Sequence, residues 1–383
     1  MKKRLLFILS LVVLVAATAA LLFAVNVSAA TAYKEYGEDQ VTGGRLSGES
    51  WCFEPATYLT ETIAPVDFTN VTLLHNCAFG NDLSLLYAIP QSELVGCADI
   101  RLVVEKQQYI GNTPTDPIRR TLYPTEYIID GVPYYRFDYT EVHAKEMGDL
   151  LEATLCFTFD GVEYSGIIDT YSLRWYAESR LVESHDDAFL ALMVDLLHYG
   201  AAAQEYFGYR TDSLVNEGLY EWQKRYTRGH YDTLADLSQD GDTGSYTAAI
   251  TRKNVRFANR IALLFATNLA QDSDLGGITL RIRYTDRLGQ PVEQTVDGAD
   301  FVYRTDVGGY TACYDGLKAS ELRTTLELTL LQNGTPISAT VQYNLDTYVK
   351  NRLENSADEN FRSLLEKALI YSDSAKDYFS TTQ

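Results

Sequence analysis

Oxygen-bearing side chains alternate along one short segment, residues 236–242, with Gly241 at the sixth position. A calcium loop of the EF-hand kind has this spacing, because calcium takes about six to eight oxygen ligands and the sharp turn needs glycine. The twelfth position is Thr247 rather than an acid, which favours an acidic connecting turn. We therefore expect no cofactor, with calcium at this loop as the alternative. The candidate ligands are Asp236, Ser238, Asp240 and Asp242.

Other chemistry-bearing residues form no recognisable catalytic motif. The five histidines are scattered, without an H-E-x-x-H pair, and the chain has no G-x-S-x-G elbow, phosphate-binding loop or G-x-G-x-x-G turn. Two carboxylates could in principle make a glycosidase, but 52 acidic residues make acid pairs inevitable and uninformative. The sequence thus predicts a protein that is not an enzyme.

Tyrosine is abundant, with 28 residues, and aromatic rings can stack on sugars while the phenol donates a hydrogen bond. Four tyrosines could form an exposed ligand-binding patch. Other tyrosines recur at matching places in two parts of the chain, which indicates core packing instead. The candidates for the patch are Tyr123, Tyr127, Tyr134 and Tyr135.

The N-terminus reads as an export signal. Three basic residues at 2–4 precede an apolar run from Leu5 to about Val27, and small residues follow. The run is also long enough to span a bilayer. Residues 1–30 are therefore predicted to be a signal peptide or an uncleaved N-terminal anchor, followed by an N-terminal segment at 31–69. Either way the rest of the chain is extracytoplasmic, secreted or anchored.

The charge balance excludes nucleic acid as a partner. The chain has 52 acidic and 32 basic residues, a net charge of −20, whereas a nucleic-acid binder needs a basic face. Its five cysteines are too few for a disulfide scaffold and are expected to be mostly buried thiols. One bridge, between Cys77 and Cys97, is an alternative.

An internal repeat dominates the organisation. Residues 171–207 match residues 343–379 at a constant offset of 172, with 14 of 37 positions identical. Upstream, F-x-N-x-L-x-L-L at 79–86 matches F-x-N-x-I-x-L-L at 257–264. Duplication explains this pattern most simply. The predicted domains are repeat module 1 at 70–207, a connector at 208–253 and repeat module 2 at 254–379.

Hydrophobic periodicity gives the elements within each module. Alternation at 278–284 and 326–330 predicts strands, and Asp160-Gly161 and Asn333-Gly334 predict hairpin turns. Apolar spacing of three and four residues then predicts a short and a long helix, with Ser184 and Ser356 capping the long ones. The predicted fold class is α+β: two tandem repeats, each an antiparallel β-sheet or sandwich followed by a C-terminal helical hairpin.

The first module resembles a known family. Y-S-L-R-W-Y-A at 171–177 and D-L-L-H-Y-G-A-A-A-Q-E-Y-F at 195–207 are similar to a tandem module of unknown function in secreted and cell-surface proteins of Gram-positive gut bacteria. That module often adjoins Ig-like repeats or dockerins, and it has no assigned catalytic residues. The resemblance covers most of module 1, and module 2 is a degenerate match. It implies export and modular architecture.

The combined prediction is a non-catalytic extracytoplasmic surface or secreted protein with a structural, adhesion or binding role. Its expected partner is a cell-surface protein or a glycan, with membrane contact only through the N-terminal segment. The alternative is a carbohydrate-active enzyme or a carbohydrate-binding accessory protein.

Overall fold

The structure is a computed structural model that describes Ala56–Tyr58 and residues 71–79, 83–184, 186–235, 237, 245–257 and 261–381. The predicted export segment, Cys52 and the four candidate calcium ligands lie outside these residues. Within the described part, the fold is α+β, with four antiparallel sheets and four helices.

Two antiparallel sheets form the N-terminal half. Their strands are β1 (Ala56–Tyr58), β2 (Val71–Phe79), β3 (Leu83–Pro90), β4 (Ala98–Ile110), β5 (Thr113–Leu122), β6 (Thr125–Ile129), β7 (Val132–Val142), β8 (Leu151–Phe159) and β9 (Val162–Tyr171). The first sheet has the order β1-β2-β3-β7-β6 and the second β5-β4-β8-β9. Alternate side chains of both sheets meet in one buried cluster, because successive residues of a strand face opposite sides. The arrangement is consistent with a β-sandwich.

Two further sheets form the C-terminal half. Their strands are β10 (Ile250–Phe257), β11 (Ile261–Thr267), β12 (Ile278–Thr285), β13 (Pro291–Asp297), β14 (Val302–Arg304), β15 (Gly309–Tyr314), β16 (Leu326–Gln332), β17 (Thr335–Pro336) and β18 (Val341–Tyr343). The third sheet has the order β10-β11-β15-β14, and the fourth has β13-β12-β16-β17 with β18 also paired to β16. Phe265, Leu280 and Leu328 are fully buried between them.

The strand and turn predictions are confirmed. The alternating segments at 278–284 and 326–330 lie in β12 and β16. Asp160 and Gly161 have φ of 47° and 75°, and Asn333 and Gly334 have φ of 50° and 80°. Two successive positive φ values are those of a type I′ hairpin turn, which Asn-Gly and Asp-Gly adopt at little cost.

A short and a long helix close each half. They are α1 (Leu173–Glu183), α2 (Asp187–Phe207), α3 (Leu345–Asn355) and α4 (Glu359–Thr381). The caps of the long helices differ from the prediction. The Asp186 carboxylate accepts hydrogen bonds from the backbone N–H groups of Ala188 and Phe189, and Asp358 accepts one from Phe361. In each case the predicted serine instead accepts from the backbone of the capping aspartate.

The long helices α2 and α4 pack on each other and join the two halves. The rings of Tyr199 and Tyr371 stack nearly parallel, at 7° with centroids 5.6 Å apart. Leu364, Ala368 and Ala375 of α4 belong to the same buried cluster as the core of the N-terminal half. Two further aromatic contacts flank the stack, Phe189 with Tyr378 and Tyr206 with Phe361, each with centroids 5.1 Å apart.

The alternative of a Cys77–Cys97 bridge is wrong, because both residues are free thiols. Cys77 points from β2 into the apolar core and is fully buried, whereas Cys97 is half-buried after a 3₁₀ turn at Gln91–Leu94. Cys156 and Cys313 are also free. Among the helices of the described part, none is both long and apolar enough to cross a membrane.

The helix pair yields a test of its contribution to stability. Phe189→Ala should lower the free energy of unfolding by about 3–5 kcal/mol, because the ring is 2% exposed and its loss leaves a cavity. Phe361→Ala is the matched control at the other end of the interface. Its ring is only half-buried, so we expect a loss of about 1–2 kcal/mol. Urea denaturation measures both, and equal losses would contradict this account of the interface.

Candidate functional site

The four tyrosines predicted to bind ligand do not converge in one exposed patch. Tyr123 is 73% exposed between β5 and β6, but Tyr127 is only 7% exposed. The guanidinium of Arg136 lies over the Tyr127 ring, 5.2 Å from its centroid. Tyr134 packs on the cluster that contains Tyr127, whereas Tyr135 packs on the main core. Adjacent residues of a strand face opposite sides, which separates this pair.

Two buried carboxylates, Glu146 and Asp149, are the first candidates for acid–base chemistry. They follow β7, in and just after a 3₁₀ turn at Ala144–Glu146. Glu146 accepts a hydrogen bond from the Lys106 ammonium at 2.6 Å, and His143 lies 3.2 Å from its other oxygen. Asp149 accepts from the Tyr209 hydroxyl at 2.5 Å.

The pKa values of these carboxyls shift in opposite directions. Burial raises the pKa of Asp149 to about 6, although Tyr209 and Arg210 donate to it. Burial also opposes ionisation of Glu146, but His143 and Lys106 outweigh it and hold its pKa well below the usual range. Split carboxyl pKa values are typical of acid–base pairs. Here, however, the residues are 3% and 1% exposed, so neither carboxyl has solvent beside it.

These carboxylates act instead as anchors. Lys106 also donates to the backbone carbonyl of Glu141, and the Arg210 guanidinium bonds both Asp149 and the carbonyl of Gly148. The two ion pairs thereby tie the 3₁₀ turn to β4 and to the segment after α2. They hold the turn in place, and both carboxyls are buried.

A second ionic cluster fastens the connector to the C-terminal half. Arg323 donates to the carboxylates of Asp346 and Asp373, at 2.8 and 2.6 Å. Arg228 pairs with Asp373 as well, at 2.7 Å, and Asp373 also accepts the backbone N–H of Asp232. A cavity of about 360 Å³ lies beside this cluster. Because the buried acids of this cluster are paired with arginines, we interpret the cluster as a structural contact between the connector and the C-terminal half.

The candidate site is a larger open groove of about 770 Å³ in the C-terminal half. Its floor is the face of the third sheet that points away from the core, and one wall is α3. Alternation explains the floor: Val255, Leu263 and Phe265 face the core, so their neighbours in β10 and β11 face the groove. The floor residues include Arg252, Asn254, Leu264, Ala266 and Thr311.

Helix α3 contributes an aromatic and a cationic group to the groove. Tyr348 is half-buried on the wall, and the guanidinium of Arg352 lies 5.1 Å from the centroid of its ring. Tyr343 is buried beneath, and burial raises its pKa well above the usual range. Tyr348 thus lines the groove while packing in part on the core, and Tyr343 belongs to the core itself.

Hydrogen-bonding side chains and cations dominate the lining. Neutral amides and hydroxyls come from the floor and the wall, and the described lining residues include four basic residues and one acidic residue, Asp306. Arg304 bonds both oxygens of Asp306 at 2.9 Å. This hydrogen bond, with the nearby charges of Arg304 and Arg252, lowers the pKa of Asp306. The neutral polar residues are Thr251, Asn254, Thr311, Gln342, Thr347 and Asn351.

The same place in the N-terminal half is buried. Leu86 pairs with Asn76 and Asp138 as Leu264 pairs with Asn254 and Cys313, so β2, β3 and β7 correspond in position to β10, β11 and β15. On this face Asn76 and Leu86 are at most 1% exposed. The positions in α1 that match Tyr348 and Arg352 in the sequence are Tyr176 and Arg180, both 0% exposed. The open groove therefore belongs to the C-terminal half.

Sequence reasoning missed this groove because its residues come from β10, β14, β15 and α3, which are far apart in the chain. One signal was present: copy two has polar residues where copy one is apolar, such as Arg252 for Leu74.

Among the described residues, no group of three or more histidine, cysteine, aspartate or glutamate side chains could hold a metal ion.

Comparison with known proteins adds no relative. No protein-family model matches the chain, and no curated protein matches it significantly.

The Lys106–Glu146 pair yields a stability test. Glu146→Gln should lower the free energy of unfolding at pH 7 by about 3–5 kcal/mol, because it leaves a buried ammonium without its counter-charge. Glu321→Gln is the matched control. Glu321 follows β15 as Glu146 follows β7, but burial raises its pKa, so a neutral side chain should cost less than about 1 kcal/mol. Urea denaturation that finds similar losses would refute the distinction.

Asp149 yields a pH test. Its pKa rises from 3.8 to about 6 on folding, so its contribution to stability is full below pH 3.8 and is lost as the pH rises to about 6. Asp149→Asn stays neutral at all these values. We expect the unfolding free energy of the variant, relative to the parent, to improve by about 2 kcal/mol between pH 4 and 7. Exposed Asp212→Asn is the control, and a difference that does not change with pH would rule out the effect.

Proposed function

We propose that the protein is an exported, non-catalytic binding protein and that the groove between α3 and the third sheet binds a glycan. The observation that carries this proposal is the lining. Six neutral amide or hydroxyl side chains surround an open space of about 770 Å³, with the Tyr348 ring on its wall. Sugar hydroxyls need such partners, and an aromatic ring can pack on a sugar face.

The carboxylates of the groove favour binding over hydrolysis. Glycosidases use two carboxyl groups that flank the scissile bond. Asp306 is the sole acid among the described lining residues, and both its oxygens bond Arg304. The buried acids Glu146, Asp149 and Asp373 lie elsewhere and are paired with lysine or arginine. Recognition of a glycan in adhesion, or as an accessory to another enzyme, fits this lining.

We also propose that the two halves are tandem repeats of one module. The identity of 14 of 37 positions at an offset of 172 supports duplication. So do the helix contacts. In the repeat, Phe189 corresponds to Phe361 and Tyr206 corresponds to Tyr378. Phe189 contacts Tyr378, and Tyr206 contacts Phe361. The middle contact joins Tyr199 to its own counterpart, Tyr371, as a pseudo-two-fold axis requires.

The proposed location is extracytoplasmic. Basic residues at 2–4 followed by the apolar run to Val27 support export, with the mature chain released or held by this segment. A net charge of −20 suits an exported protein that meets glycans or surface proteins rather than nucleic acids.

Glycan arrays and polysaccharide pull-down with the purified full chain test the binding proposal. Tyr348→Ala should weaken binding at least about tenfold, since a stacking ring contributes roughly 1–3 kcal/mol. Tyr123→Ala is the matched control, because that ring is exposed but lies outside the groove, and it should bind as the parent does. Release of reducing sugar, or loss of binding in the Tyr123 variant alone, would overturn the proposal.

A further inference from the structure

The charge of the groove differs from that of the whole molecule. The chain carries 52 acidic and 32 basic residues, whereas the described residues that line the groove include four basic residues and one acidic residue. From the composition of the chain, we would expect more acidic than basic residues in such a groove. The groove is therefore a local positive region, and such a region attracts anions that the rest of the surface repels.

The cations stand on three sides of the groove. Arg252 lies on β10 and Arg304 on β14, at opposite edges of the third sheet, and Arg352 lies on α3. Three strand spacings separate β10 from β14, about 14 Å between backbones. A chain that repeats its anionic group along its length can meet several of these guanidinium groups at once.

Two of the three arginines are specific to this half, and the third is exposed only here. Strand pairing places Leu74 where β10 has Arg252, and Tyr127 where β14 has Arg304. The counterpart of Arg352 is Arg180, which is fully buried. Core packing inherited by both halves therefore does not account for the exposed charges.

On the basis of the proposed glycan binding, we infer that the ligand of this groove is an acidic polysaccharide, whose sugar hydroxyls meet the amides and whose anionic groups meet Arg252, Arg304 and Arg352. Guanidinium groups bind carboxylates and sulfate esters through paired hydrogen bonds. The Arg304–Asp306 pair orients one guanidinium, and basic residues outnumber acidic ones by four to one among the described lining residues. The neutral polar side chains favour a polyhydroxylated chain over an acidic peptide.

Binding of the full chain to four probes tests this inference: polygalacturonate, dextran sulfate, unsubstituted dextran and polyglutamate, each at low and high salt. We expect the acidic polysaccharides to bind at least about tenfold more tightly than dextran and to weaken as salt rises. Binding of polygalacturonate but not dextran sulfate would identify a carboxylate ligand. Binding of dextran sulfate but not polygalacturonate would identify a sulfate ester. Either result supports the inference.

Arg252→Glu and Arg352→Gln should each weaken acidic polysaccharide binding about tenfold or more. Exposed Arg362→Gln on α4 is the control for loss of one positive charge, and it should bind as the parent does. Thermal unfolding checks that each variant remains folded. If Arg362→Gln weakens binding equally, net charge rather than the groove is responsible, and the inference fails.

The outcomes separate the inference from the function on which it rests. Equal, salt-insensitive binding of dextran and the acidic polysaccharides overturns the charge inference but leaves glycan binding intact. Binding of polyglutamate alone, lost in Arg252→Glu, overturns both and identifies a peptide site. Failure of all four probes refutes the inference, and the glycan array then decides the proposed function independently.

Discussion

The packing of α2 on α4 is the contact on which the rest of the structure depends. Each half has its own pair of sheets, but the side chains of α4 enter the cluster that fills the N-terminal half. The Tyr199–Tyr371 stack lies in the middle of this contact, with aromatic pairs on both sides. Large aromatic rings dominate such contacts because they bury much apolar surface with few rotatable bonds. The halves are thus joined by core packing, and the ionic joint around Arg323 adds a second attachment.

This attachment leaves the outer face of the third sheet free for a ligand. The core of the C-terminal half lies on the inner side of β10 and β11, and α3 forms one wall of the groove on the outer side. The described residues that line the groove on the outer side are mostly polar or positively charged. In the N-terminal half the corresponding face is buried, with an apolar cluster that includes Leu74, Leu86 and Tyr127, so corresponding faces of the two halves differ in exposure.

Elements with strong periodicity could be predicted from the sequence. The alternating segments became β12 and β16, and the Asp-Gly and Asn-Gly pairs became hairpin turns. The caps were placed two residues too early, because a serine and an aspartate can both accept from the first free N–H groups and only local geometry selects one. Composition could not decide whether Cys77 and Cys97 were near enough to bond. Of the four described cysteines, Cys77 and Cys156 are buried, as expected, whereas Cys97 and Cys313 are only half-buried.

The candidate site was less accessible to sequence reasoning. Tyrosine content directed attention to residues 123–135, where strand alternation places Tyr134 and Tyr135 on opposite faces. The groove depends on which strands neighbour β10 and on how far α3 stands from them. Both are properties of tertiary packing, and hydrophobic periodicity along the chain does not predict them.

The pairing of α2 with α4 has a consequence for folding of the halves in isolation. Because Phe189, Tyr199 and Tyr206 meet the counterparts of one another, each half carries a surface that is complementary to its own kind. An N-terminal half without its partner would expose this aromatic row to water. Its best available cover would be the same row of another molecule, so truncation should convert an intramolecular contact into self-association.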